Sequence, residues 1–155
     1  MANITATSQE QLNAAYLRGV AEMATAIKPS LFVTLAFNRA IVHESAADRL
    51  TAFLARMDRK LLGPKWASQD ASRRTQHISV LENPRTNPHI HLLVKPAKNN
   101  AWAFAKRVGP IWRKLVVSGS IDVQPVTDLA GAINYVAKHL SASKGDRLLL
   151  TPGKA

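Results

Sequence analysis

Two histidines stand one residue apart in the stretch Asn87-Pro88-His89-Ile90-His91-Leu92-Leu93-Val94-Lys95-Pro96. Successive side chains of an extended strand point to opposite faces, so Ile90, Leu92 and Val94 share one face and His89 and His91 the other. The two imidazoles then sit roughly 6.5–7 Å apart at the backbone and lean the same way. That suits two nitrogens converging on one metal ion. Glu82, at the end of the preceding apolar stretch, joins them if it lies directly opposite His89 in an antiparallel hairpin. Two imidazoles and one carboxylate leave coordination positions open. This donor set fits a divalent Lewis acid, Mn²⁺ or Mg²⁺, with zinc a third option. The alternative for Glu82 is a solvated residue at a strand end. The ligand reading carries a register condition: directly opposed residues of 76–82 and 89–95 must have numbers that sum to an odd value.

A second pair with chemical potential is Tyr135 and Lys138. The helical stripe around them is Leu129, Ile133, Val136 and Leu140, and Tyr135 falls roughly 120° from its centre. Lys138, three residues on, is its neighbour on that surface. A phenol beside an ammonium can act as a covalent nucleophile with a charge partner; otherwise the two are surface residues. Tyr16, the other tyrosine, lies in an apolar helical stripe and reads as core.

The elements that must position these groups follow from periodicity. Residues 1–7 carry no pattern and read as a loose end. Ser8 opens a helix signal, with Gln11 as a capping-box partner and Leu12, Tyr16, Val20, Met23 and Ile27 as its apolar stripe. Leu31 to Phe37 is a near-continuous apolar run, expected as a central strand. Ser45 caps a second helix that buries Leu50, Phe53, Leu54, Met57 and Leu61 and stops at Gly63-Pro64. Gln76 to Glu82 and the histidine stretch flank a turn-rich segment and form a hairpin. Asn99 or Asn100 caps a third helix, which Gly109-Pro110 should kink or split. Ile121 to Val126 is a strand that Pro125 assigns to an edge or a strand end. Thr127 or Asp128 caps the last helix, and the basic tail from Ser141 reads as frayed. The predicted class is α+β: an antiparallel central sheet of four or five strands, with helices mainly on one face and the other face free for a substrate.

Composition narrows the function. The chain has 155 residues, the size of one domain. It has no cysteine, which excludes a disulfide framework and thiolate metal sites. No apolar run would span a membrane and no signal-peptide pattern opens the chain, so a cytoplasmic protein is expected. The net charge is +11, from 21 Lys+Arg against 10 Asp+Glu. A charge so far from zero favours a polyanionic partner, most plausibly nucleic acid.

Together, His89-Ile90-His91 on a strand and Tyr135-Val136-Ala137-Lys138 on a later helix resemble the motifs of the HUH endonucleases. Within that superfamily the pattern is most similar to single-tyrosine initiators of rolling-circle replication in plasmids, phages and small DNA viruses. Phe32-Val33-Thr34-Leu35 matches their first, hydrophobic-strand motif, and Glu82 matches the carboxylate that often completes their metal site. The resemblance covers roughly residues 31–140. It implies a ferredoxin-like or RNA-recognition-like sheet and metal-dependent cutting of single-stranded origin DNA, with a hairpin as one form of that origin. Tyr135 would attack a phosphodiester and stay joined to the 5′ phosphate, with Lys138 balancing charge and His89, His91 and Glu82 holding the metal. Arg39, Arg73, Arg74, Arg85 and Lys95 are candidate contacts to the strand, and Trp or Phe could stack on bases. The expected division is an N-terminal helical extension at 1–30 packed on the domain, an endonuclease core at 31–141 and a basic C-terminal tail at 142–155.

Two features depart from many viral initiators. No G-x-x-x-x-G-K-[ST] helicase motif occurs, so the chain is an excised nuclease domain or a helicase acts in trans. No second tyrosine lies near Tyr135, which argues against a two-tyrosine mechanism. The expected setting is a prokaryotic cell carrying a plasmid or phage. The rival readings are a transposase of the same superfamily and a basic nucleic-acid-binding module without catalysis.

Overall fold

A computed structural model describes residues 2–138, 140–141, 144 and 147–150, with side chains from residue 8 onward. Helix α1 spans Ala2–Ile27, strand β1 Leu31–Ala36, helix α2 His43–Leu62, β2 Gln76–Glu82 and β3 His89–Lys95. Helix α3 (Ala101–Leu115), β4 (Ser120–Pro125), α4 (Leu129–Ala137) and β5 (Leu148–Leu149) follow. The class is α+β, with one antiparallel five-stranded sheet ordered β4-β1-β3-β2-β5. The histidine strand is therefore the central one, with β1 beside it. Among the described residues no helix is long and apolar enough to cross a membrane.

Strand alternation divides the sheet into two faces. Leu31, Val33, Leu35, Ile90, Leu92 and Val94 point into a core closed by α2 and α3, where Leu50, Phe53, Phe104 and Trp112 are buried. On the opposite face Ile78, Val80 and Leu93 pack against Val20 and Ala24 of α1 and Ile133 and Val136 of α4. Helices thus cover both faces, which corrects the expectation of a one-sided sandwich. The covering is partial: Ser120, Asp122 and Gln124 of β4 stay exposed on the α1/α4 face. The buried stripe of α1 differs from the expected one because small residues, not Leu12 and Met23, help make its contacts with the sheet. Leu12 and Met23 are exposed, whereas Ala24 is buried and Ala21 partly so. Small side chains allow a helix to lie close on a sheet, and bulk alone does not report that.

Local chemistry sets most boundaries. Gly63, at φ 89°, follows the last residue of α2 and donates its N–H to the Arg59 carbonyl at 2.9 Å, a positive-φ position that favours glycine. Asn100 caps α3 by accepting from the Ala103 N–H, and Asp128 caps α4 by accepting from the Gly131 N–H. Four expectations fail. Helix α1 begins at Ala2 rather than Ser8, α2 begins at His43 rather than Ser45, α3 runs through Pro110 unsplit, and Leu148–Leu149 of the tail pair with β2. A proline removes one helical hydrogen bond, and the packing of Phe104, Val108, Ile111 and Trp112 on the sheet holds α3 across that gap.

The C-terminal end of β1 is clamped. Trp112 donates its indole N–H to the Ala36 carbonyl at 2.9 Å, and the Phe37 N–H donates to the Pro88 carbonyl at 3.1 Å. Trp112 meets Phe37 and Phe53 edge to face. Gly119 leaves room for this indole, since a Cβ there would lie 2.6 Å from Trp112 Nε1. The clamp fixes β1 against β3 where His89 begins.

His77, on the α2/α3 side of β2, is buried with its Nδ1 2.7 Å from Ser79 Oγ. Burial pushes its pKa down to about 4, from an ordinary 6.5. Between those values the unfolded chain binds the extra proton, so stability present at neutral pH is lost as pH falls. The loss from this residue is about 3 kcal/mol between pH 7 and pH 4. Urea denaturation of wild type and His77→Asn at both pH values should show the variant losing about that much less. Equal acid losses would contradict the assignment.

Candidate metal centre

The β2–β3 hairpin pairs Glu82 with His89, Leu81 with Ile90 and Val80 with His91. Every opposed pair sums to 171, an odd value, so Glu82 shares a face with both histidines. Glu82, His89 and His91 each offer one ligand atom, all within 4.8 Å of one another. His89 Nε2 lies 2.9 Å from Glu82 Oε2, and His91 Nε2 also contacts that oxygen. Two donors on one ion with bonds of about 2.1 Å stand up to about 4.2 Å apart, so small side-chain shifts open the group around an ion.

The outer partners decide which nitrogens face inward. His89 Nδ1 lies 2.8 Å from the Asn87 carbonyl oxygen. A carbonyl only accepts, so Nδ1 carries the proton, and Nε2 of the neutral ring presents a lone pair to Glu82. A lone pair and a carboxylate oxygen at 2.9 Å repel unless a proton or a cation lies between them. His91 Nδ1 is 3.1 Å from Thr34 Oγ1, which holds the second ring in the same orientation. Burial sharpens the effect: His91 and Glu82 are buried and His89 half-buried. A buried carboxylate between two imidazoles is a strong cation seat. These residues could hold a divalent metal ion.

Tyr135 comes to this cluster from α4. Its ring meets the His91 ring edge to face, with centroids 5.3 Å apart. Phe32 of β1 packs against both rings, 5.6 Å from His91 and 5.7 Å from Tyr135. Tyr135 is nonetheless 46% exposed. Lys138, at the α4 C-cap, places its Nζ 3.9 Å from the centre of the Tyr135 ring. Five candidate residues, Glu82, His89, His91, Tyr135 and Lys138, thus gather in one place.

The candidate strand contacts divide. Arg73, Arg74 and Lys95 line one groove at the far end of β3. Arg39 lines a different groove with Arg49, Val42 and Val117. Arg85 is exposed in the turn between β2 and β3. Sequence reasoning assigned no role to Thr34 or to the Asn87 carbonyl. Thr34 could have been found, since it is the polar residue of the apolar run Leu31 to Phe37. The Asn87 contact runs through a backbone carbonyl and leaves no residue-type signal.

Comparison with known protein families, curated proteins and solved structures found no match.

Calorimetric titration should give saturable binding of about one Mn²⁺ per chain, lost in His91→Ala and in Glu82→Ala. Thr34→Val removes the hydroxyl beside His91 and should lower affinity roughly ten- to a hundredfold. Unchanged binding in either ligand variant would rule the site out.

Proposed function

We propose that this chain is a metal-dependent endonuclease that nicks and rejoins single-stranded DNA through a 5′-phosphotyrosine, as HUH endonucleases do, and thereby initiates rolling-circle replication. One observation carries the reading. Tyr135 lies far from His91 in sequence, yet its half-exposed ring sits 5.3 Å from the His91 ring, with the Lys138 ammonium against its face. A tyrosine that merely filled space would be buried, and one that merely faced solvent would have no reason to lie against a metal-type cluster. The net charge of +11 supports a polyanionic substrate.

Held by Glu82, His89 and His91, a divalent ion would polarise the scissile phosphate and offset charge building on its oxygens. The two imidazoles favour Mn²⁺ over the harder Mg²⁺. The chain's own residues do the rest. Thr34 and the Asn87 carbonyl fix the imidazoles with Nε2 inward. The buried Glu82 supplies the negative charge of the seat. A neutral phenol is a weak nucleophile, and the positive charge of Lys138 stabilises negative charge developing on the Tyr135 oxygen. The Tyr135 oxygen–phosphorus bond forms as the phosphorus–O3′ bond breaks. The phenolic proton ends, net, on the released 3′ hydroxyl. Attack by a 3′ hydroxyl on the phosphotyrosine reverses these changes and rejoins the strand. The exposed Ser120, Asp122 and Gln124 of β4 border this face and leave room for an extended strand.

The test uses a 5′-labelled and a 3′-labelled pool of random-sequence single strands with Mn²⁺, resolved on a denaturing gel. Wild type should cut and leave a protein-linked band from the 3′-labelled pool only. Tyr135→Phe should abolish both cutting and adduct while retaining Mn²⁺ binding. Lys138→Ala should slow cutting by roughly one to two orders of magnitude. Cutting by Tyr135→Phe would overturn the tyrosine mechanism, and a wild type that binds DNA without cutting it would make the chain a binding module.

A further inference from the structure

At the opposite end of β3 from the histidines lies a groove of about 380 Å³. Its lining includes Arg73 and Arg74, from the segment before β2, and Lys95 and Lys98, from the end of β3 and the turn after it. No carboxylate among the described residues lines the groove. Among the described residues none of these four cations forms an ion pair with an acidic side chain. Asp58 feels the charge of Arg74, and Asp70 that of Arg73 and Arg74, but their hydrogen bonds go to Thr75 and Ser72.

Gathering four like charges costs electrostatic free energy, which Asp58 and Asp70 offset only through Arg73 and Arg74. The turn adds to that cost. Lys98 adopts φ 58° and Asn99 φ 53°. A left-handed conformation costs a lysine about 1–2 kcal/mol. The Nε–H of Arg74 is buried and finds no hydrogen-bond partner, a donor left unsatisfied in the chain itself. Four cations without a direct carboxylate contact, a strained lysine and an unsatisfied guanidinium donor in one groove suit an external anion.

We infer that this groove binds a backbone phosphate of the nucleic-acid strand at a distance from the cut, an inference that rests on the single-strand endonuclease reading. Lys95 lies six positions along β3 from His89, about 20 Å on an extended strand. The groove therefore anchors the strand several nucleotides from the metal centre. Arginine forks match phosphate oxygens, the lysines add point charges, and Gln69, Ser72 and Asn99 supply neutral donors along the wall.

The test is fluorescence anisotropy with a labelled 20-nucleotide single strand over a range of salt concentrations. Three proteins are compared: wild type, Lys95→Gln/Lys98→Gln, and the control Arg113→Gln/Lys114→Gln, which removes the same charge from exposed positions on α3. Mn²⁺ binding is measured on each to show an intact metal centre. The groove variant should bind roughly tenfold more weakly than the control, with a salt slope shallower by about 1.4, for two phosphate contacts. If groove and control variants bind alike while wild type binds tightly, the groove holds no phosphate and the endonuclease reading survives. If wild type does not bind the strand at all, the endonuclease reading fails, and the groove assignment falls with it.

Discussion

The pairing of Glu82 with His89 is the constraint on which the rest depends. A strand has a side-chain period of two, so a slip of one residue in this hairpin would send the carboxylate to the face of Ile90 and Leu92. A slip of β3 instead of β2 would place His89 and His91 against a core of leucines and phenylalanines, where an imidazolium has no charge partner. Apolar burial on both faces therefore fixes the register: Ile90, Leu92 and Val94 of β3 face α2 and α3, Ile78 and Val80 of β2 face α1 and α4, and the result brings three electron-pair donors together. The two hydrophobic clusters, one on each face of the sheet, together specify the polar centre.

What surrounds the donors makes them a site rather than a cluster. The central position of β3 keeps His91 buried, and β1 contributes Thr34 to its ring and Phe32 beside it. Helix α4 is short, and its stripe of Ile133 and Val136 packs it against Ile78, Val80 and Leu93. That docking carries Tyr135 to His91. The aromatic trio of Phe32, His91 and Tyr135 fixes where the tyrosine ring lies while leaving it partly open to solvent. Trp112 and Gly119 hold the other side of β1 from beneath, so the elements bearing the site are braced on both faces of the sheet.

Much of this was legible in the chain because it rests on local periodicity and on residue types. The hairpin follows from short-range patterns, which also narrowed β4 to an edge or a strand end and each cap to two neighbouring residues, of which Asn100 and Asp128 serve. The odd register was the condition for Glu82 to join the histidines, and it holds. The departures share a cause. Whether α1 and α4 cover the second face depends on contacts between elements far apart in sequence, and the residues that make them include alanines. Proline in α3 reads as a break because propensity is local, while the packing that overrides it is not. Arg73, Arg74 and Lys95 stood out as separate basic residues, but their common groove with Lys98 was hidden for the same reason: two segments contribute it, and only folding brings them together.

The proposed mechanism stands on Tyr135 becoming joined to DNA beside a metal held by Glu82, His89 and His91. The most direct measurement is mass spectrometry of peptides from protein incubated with Mn²⁺ and single-stranded DNA, after nuclease trimming of any attached strand. The account predicts one modified peptide, containing Tyr135 and carrying a 5′-phosphonucleotide on the phenolic oxygen, formed with Mn²⁺ and absent with chelator. Cleaved DNA with unmodified Tyr135, or an adduct on any other residue, would contradict it.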